Sequence, residues 1–380
     1  MKRSRFGFLL IALLASPLIQ AAEKIRYVIL VDGGKQAGEQ IVERNDDGLT
    51  KVRFIFKDNG RGPELNEEFR LADDGTFSEY RVTGNTTFGS VVDDRFEKKN
   101  GVASWASTSE KGSQKVTGTA FYIPLNSSFE VFSASLAAMA KRPDGKLPLL
   151  PAGTLTQRKI DEIDVSRDGK IQRVQLLAVS GQGLTPQFAW TTTGSKPRLF
   201  AVVVPGYLLA IEEGWESNGA SLEVRQKAAE ATLLKDMAAR LKKPMVGMTV
   251  IRNARVFDSD NAKLLPASDV YVLRGKITAV LPAGSPTRGA DNEIDAAGRV
   301  LLPGLFDMHG HVGRWDGGLN LAAGVTTVRD MGNDNLTLQQ IIDETAAGQL
   351  LSPQIVPTGF LEGESAFSAR NGFVIKNLQE

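Results

Sequence analysis

The chain has 380 residues, 42% of them hydrophobic and 23% charged, which is ordinary globular composition with room for two or three domains. A formal net charge of +1, with no run of Lys and Arg beyond the first five residues, argues against a polyanion-binding surface. The absence of cysteine excludes disulfides, a thiolate nucleophile and a lipid-modified cysteine.

Lys2, Arg3 and Arg5 form a positive start, residues 6–19 an apolar run, and Ala21 and Ala22 a small-residue cleavage site. This is the pattern of a secretory signal peptide, so residues 1–22 are expected to be removed on export to the periplasm or medium. The run is too short for a comfortable transmembrane helix, which needs about 20 residues. A buried N-terminal helix is the alternative. No other apolar stretch approaches spanning length, so no membrane contact is expected after removal.

Residues 23–218 read as β-structure. Val52, Phe54 and Phe56 alternate with Arg53, Ile55 and Lys57, a period of two. Turn signals recur at Asp73-Asp74-Gly75, Asn100-Gly101, Asp168-Gly169 and Gly194-Ser195. Short strands with such turns predict an antiparallel sheet, folded as a sandwich or a wide half-barrel. One helix interrupts it at about 129–141, where Leu136 to Ala140 favour helix and Pro143 stops it.

A longer helix is predicted over 221–243, with Val224, Ala228, Ala231, Leu234, Ala238 and Leu241 at spacings of three and four. Ser221 is its expected N-cap, and Lys242 and Lys243 suit its negative end before Pro244. Its Ala-rich stripe reads as a packed linker, residues 219–246, rather than as a membrane or partner surface. Beyond it, 248–257 alternates like a strand, and 270–273 with 276–281 reads as a hairpin turning at Arg274-Gly275. A further strand at 294–302 turns at Ala297-Gly298.

His309 and His311 are the only histidines, two residues apart. On a strand, residues i and i+2 face the same way. Two imidazoles on one face near a strand's end can bind one metal ion. Two exposed loop histidines are the bland alternative.

The surrounding residues narrow the choice. Asp295-Ala296-Ala297-Gly298 leads through Pro303-Gly304-Leu305-Phe306-Asp307-Met308-His309-Gly310-His311. This resembles the opening of the catalytic barrel in the amidohydrolase superfamily, where "D-x-x-G" precedes "P-G-L-x-D-x-H-x-H". The stretch from Ala323-Gly324-Val325 to Arg329-Asp330-Met331-Gly332 is similar to the second strand of that barrel, nearest the imidazolonepropionase-like and prolidase-like branch. Pro353-Gln354-Ile355-Val356-Pro357-Thr358-Gly359 is similar to the third. Residues 247–303 are similar to the small β-sandwich segment that precedes the barrel. No resemblance covers residues 23–218.

The resemblance implies a multidomain chain: an N-terminal antiparallel β-rich domain (23–218), the helical linker, the small β segment, and at 304–380 the first strands of an incomplete (β/α)8 TIM barrel. By resemblance His309 and His311 are metal ligands for one or two divalent ions, zinc first among them. Asp307 would share their face and orient a ligand, although capping or a salt bridge is an equal reading. Arg329 and Asp330 would line the site, with a local ion pair slightly favoured. The catalytic residue itself is not identified, since the general-base aspartate is expected beyond residue 380.

A complete barrel takes about 250 residues. Asn377-Leu378-Gln379-Glu380 reads as a capping box at a helix's first turn, so the chain is expected to be cut short and inactive alone. The implied reaction is hydrolysis of an amide, peptide or cyclic-amide C–N bond by metal-activated water. The expected partner is a small-molecule or peptide substrate, with no nucleic acid and with homo-oligomerisation open. The rival readings are an exported β-rich binding module carrying a vestigial barrel segment, and a two-histidine site for metal storage or surface binding.

Overall fold

The structure is a computed structural model that describes residues 23–31, 34–194, 197–286, 289–365, 368–369 and 371–379. The expected signal peptide, Ser195 and Glu380 lie outside the described residues. The chain divides into two compact units, residues 1–223 and 224–380, with the division inside one continuous helix, Gly219–Leu241.

In the first unit fifteen strands form one sheet. Eight of them follow one another as neighbours from Glu23–Val31 to Lys111–Lys115. The other half runs from Phe121–Tyr122 back to Leu208–Glu212, which closes against Glu23–Val31. All pairings are antiparallel except the short one between Phe121–Tyr122 and Lys146–Leu150. The turn signals explain the meander. Asn100-Gly101 and Asp168-Gly169 each take two successive positive φ values, 51° and 74°, and 48° and 77°. That is the geometry of two-residue hairpins, and Gly at the second position meets it without Cβ strain.

Alternation then sorts the side chains. In Leu49–Phe56 the residues Thr50, Val52 and Phe54 are buried while Lys51 and Arg53 are exposed. The sheet bends back on itself, because residues far apart in strand order share one core. Phe77 meets Phe121 at 4.7 Å between ring centroids, and Tyr80 meets Tyr122 at 6.5 Å. The helix Phe129–Ala140 adds Val131, Leu136 and Met139 to that core, and Phe129 packs edge-on against Phe54. Ser128 caps this helix, its hydroxyl accepting from Glu130 N–H at 3.2 Å.

The helix predicted over 221–243 starts two residues earlier, directly after a 3-10 turn at Glu216–Asn218, so Ser221 lies inside the first turn rather than at the cap. Its buried line is Leu222, Gln226, Glu230, Leu234 and Ala238, at strict spacings of four. Val224 and Leu241, assigned to the apolar stripe from sequence, are exposed. Two of the five buried positions are polar, so a search for apolar periodicity rotated the face. Trp315 Nε1–H donates to Glu230 at 2.9 Å, and Gln226 donates to it at 2.8 Å, which is what allows a carboxylate there.

The second unit holds two further sheets of three or more strands. In the first, Met248–Asp258 lies between Lys263–Leu273 and Asn292–Asp295, with Lys276–Pro282 beyond and Val300–Leu301 also paired to the central strand. Residues 247–303 were expected as a small sandwich; among the described residues they form one mixed sheet. Asp269 is its buried anchor, accepting from the amides of Asn253 (2.9 Å) and Gly284 (3.0 Å) and from Arg252 (3.0 Å). These donors hold the Asp269 carboxyl below its ordinary range against the opposing effect of desolvation.

The remaining larger sheet has three parallel strands, Leu305–Gly310, Val325–Asp330 and Gln354–Pro357. Parallel neighbours need crossover connections. Here the helices Asp316–Ala322 and Asn335–Ala346 supply them. Leu234, Val312, Val328, Ile341 and Leu350 form the apolar core beneath this sheet.

Candidate metal centre

His309 is on the strand Leu305–Gly310, and His311 follows its last residue. The neighbouring strand Val325–Asp330 is rich in β-branched residues, which favours a pleated partner. Pairing between the two is irregular: Asp307 faces Val328 and Gly310 faces Asp330, so three steps on one strand match two on the other. The extra residue falls at the histidines. Gly310 makes this crowding tolerable, because a Cβ there would sit 2.5 Å from Val328 Cγ1.

Both imidazoles are exposed, with ring centroids 5.6 Å apart and planes at 73°. His311 Nδ1 lies 2.6 Å from the Gly332 carbonyl oxygen. A carbonyl only accepts, so this hydrogen bond requires the proton on Nδ1 and leaves the Nε2 lone pair free in the neutral ring.

Asp307 and Asp330 hold backbone rather than imidazole. Asp307 Oδ1 accepts from His309 N–H at 3.0 Å. Asp330 is buried. Its Oδ2 accepts from Val312 N–H (2.8 Å) and Asn333 Nδ2 (3.1 Å), and its Oδ1 from Gly332 N–H (3.1 Å). Arg329 is exposed, and the ion pair favoured from the sequence does not form among the described residues. Adjacent strand residues point to opposite faces, so the two side chains are separated by the pleat.

A cleft of about 410 Å³ opens beside His311, lined also by Gly313, Asp316, Asn333, Phe360 and Asn371. Sequence reasoning did not single out Gly332, Asn333, Phe360 or Asn371. The Gly332-Asn333-Asp334 turn directly after the second strand was the signal available, since barrel chemistry sits in the loops after strands.

Two imidazoles of this kind fit part of a zinc ligand set, which takes about three protein groups plus an open position. Among the described residues no group of three or more His, Cys, Asp or Glu is arranged to hold a metal ion. At the far end, Asn377 Oδ1 accepts from Gln379 N–H at 3.0 Å, and Glu380, the other partner of the expected capping box, lies outside the described residues.

No protein-family model matches the chain. It is 38% identical over 89 residues to an adenine deaminase of Chelativorans sp. (strain BNC1), covering 23% of this chain and 14% of the relative. It is 40% identical over 92 residues to an allantoinase of Streptomyces avermitilis, covering 22% of this chain and 20% of the relative. Among solved structures, the L-hydantoinase (dihydropyrimidinase) from Arthrobacter aurescens is 23% identical, with a TM-score of 0.24 over 30% of this chain and 27% of that one. The chain therefore spans between about a ninth and a fifth of the curated relatives it matches. Over the stretch that it shares with those relatives, the chain is similar to members of the amidohydrolase superfamily.

Proposed function

We propose that this chain carries the first two metal-binding side chains of an exported hydrolase that cleaves an amide, peptide or cyclic-amide C–N bond. The observation that carries the reading is the pair His309 and His311 at the end of a parallel strand, with the His311 Nδ1 position engaged by Gly332 and its Nε2 free. Kinship with an adenine deaminase and an allantoinase supports C–N hydrolysis as the reaction class. His309 and His311 would hold one or two divalent ions, zinc by the nitrogen character of the ligands. When bound, such an ion supplies Lewis acidity, which activates water and polarises the scissile carbonyl.

The chain's own residues set where substrate approaches. The cleft beside His311 is lined by Phe360, Asn333 and Asn371 among others, a mixture suited to a small amide or peptide. With two imidazoles as the whole histidine supply, these residues bind metal weakly and turn over no substrate by themselves. Zinc titration of the untagged full chain, beside a His309→Ala, His311→Ala double variant, tests the site. Metal uptake that is unchanged in the double variant overturns the assignment. Hydrolysis of dipeptides or cyclic amides that disappears in the double variant would show a complete site. Export is tested by N-terminal sequencing of the protein recovered outside the cytoplasm, with Ala22 or Glu23 expected first.

A further inference from the structure

We propose that Asp330 is a positioning residue that presets His311 as an Nε2 donor, acting through the Gly332 loop. This rests on the reading of His311 as a ligand, but its geometry stands without a metal.

The argument starts from what Asp330 touches. It is the last residue of Val325–Asp330 and about 1% exposed. Its carboxylate is shared between the amide after the histidine, Val312 N–H, and the amide of Gly332. Asn333 clamps the same loop from its other side, one Nδ2 donating both to Asp330 Oδ2 (3.1 Å) and to the Val312 carbonyl (3.0 Å). The Asp330 backbone carbonyl is itself held by Thr358, which donates through N–H (3.2 Å) and Oγ1 (2.8 Å) from the turn after the third strand. One buried residue thus ties the segments following all three parallel strands.

The loop so fixed presents one carbonyl to the ring. Gly332 O meets His311 Nδ1 at 2.6 Å. Free neutral imidazole exchanges its proton between the two nitrogens, so an unbraced histidine spends part of its time with Nε2 protonated and unable to bind a cation. Holding Gly332 O on Nδ1 removes that tautomer. No equivalent acceptor is present for His309 among the described residues, so the two rings differ in how firmly they are set. Second partners of this kind raise the basicity of a ligand and fix its orientation.

The chain's two histidines make the test direct. In the untagged full chain labelled with 15N-histidine, ring nitrogen shifts at about pH 8.5, where imidazoles are neutral, report each tautomer. The expected wild-type result is His311 held as the Nδ1–H form and His309 as a mixture. In Asp330→Asn one acceptor oxygen becomes an amide donor facing backbone N–H groups. His311 is then expected to become a mixture, while His309 does not change. Zinc affinity in the same variant is expected to fall about 10- to 100-fold. A folded Asp330→Asn chain with the His311 tautomer intact overturns the inference.

Should that variant fail to fold, Asn333→Ala decides. It removes one clamp and leaves the carboxylate, so a smaller shift in the same direction supports the proposal and an unchanged tautomer overturns it. A tautomer that shifts as expected in a chain whose wild type takes up no zinc keeps the positioning role and removes the hydrolase reading.

Discussion

At the scale of single residues, the proposed centre depends on close approach as much as on its candidate ligands. Gly310 lies between Asp307 and His311 where the strand pairing slips. A methyl group there would meet Val328 Cγ1 at 2.5 Å, and Val328 is buried and β-branched, so it cannot swing aside. Gly310→Ala is expected to lower stability by about 1–3 kcal/mol and to weaken zinc uptake by displacing the histidine strand. Thermal melts and zinc titration of that variant check both effects; a variant that melts and binds like the wild type would show that the strand has slack.

Among secondary-structure elements, the helix Phe129–Ala140 is fastened inside its bent sheet by two buried carboxylates. Glu67 accepts from both Ser128 N–H and Ser128 Oγ, the latter at 2.7 Å. Burial pushes the Glu67 carboxyl up to about 7 from 4.5, and the hydrogen bonds from Ser128 and Tyr80 only partly oppose it. Glu130 is also raised by burial, against the pull of Arg44, whose guanidinium lies 2.6 Å away.

For a carboxyl raised on folding, the native state binds more protons than the unfolded chain between the two pKa values. Stability is therefore full below about pH 4.5 and falls as pH rises to about 7, by roughly 3 kcal/mol for Glu67. Asp47, Asp74 and Asp164 are lowered instead, so their contributions are lost only in stronger acid, outside this window. Glu67→Gln is expected to flatten the decline in melting temperature between pH 5 and 8, and an undiminished slope would assign it elsewhere. Arg44→Ala leaves Glu130 buried without its cation. Removing one partner of such a pair costs about 3–5 kcal/mol. The loss is expected to be larger at pH 8 than at pH 5, where Glu130 can take up a proton.

Over the whole molecule, each of the two units has an apolar core of its own. The first gathers side chains from both halves of the fifteen-stranded sheet and from the helix inside it. The second unit's core underlies the three parallel strands. Residues 23–218 expressed alone are expected to give a β-type far-UV circular dichroism spectrum and a cooperative melt. A helical or gradual transition would show that the sheet needs the rest of the chain.

Local chemistry was legible from the amino acids alone. Period-two runs with Asn-Gly and Asp-Gly pairs located the meander, the helix-favouring run Leu136 to Ala140 before Pro143 located the helix from Phe129, and Arg274-Gly275 located a hairpin, all of them short-range signals. The histidine spacing, with a flanking motif that resembles the amidohydrolase superfamily, pointed to the candidate ligands. What depended on contacts between distant residues had to come from the tertiary structure. The buried line of Gly219–Leu241 includes Gln226 and Glu230, because Trp315 lies 85 residues further along and satisfies the carboxylate. Asp330 reads in sequence as half of an ion pair with Arg329; the fold instead surrounds it with the amides of Val312 and Gly332. Backbone donors carry no residue identity, so no side-chain pattern could have announced them. Whether two adjacent strands slip by one residue at Gly310 is likewise set by packing across the sheet, where a single atom of Val328 decides what fits.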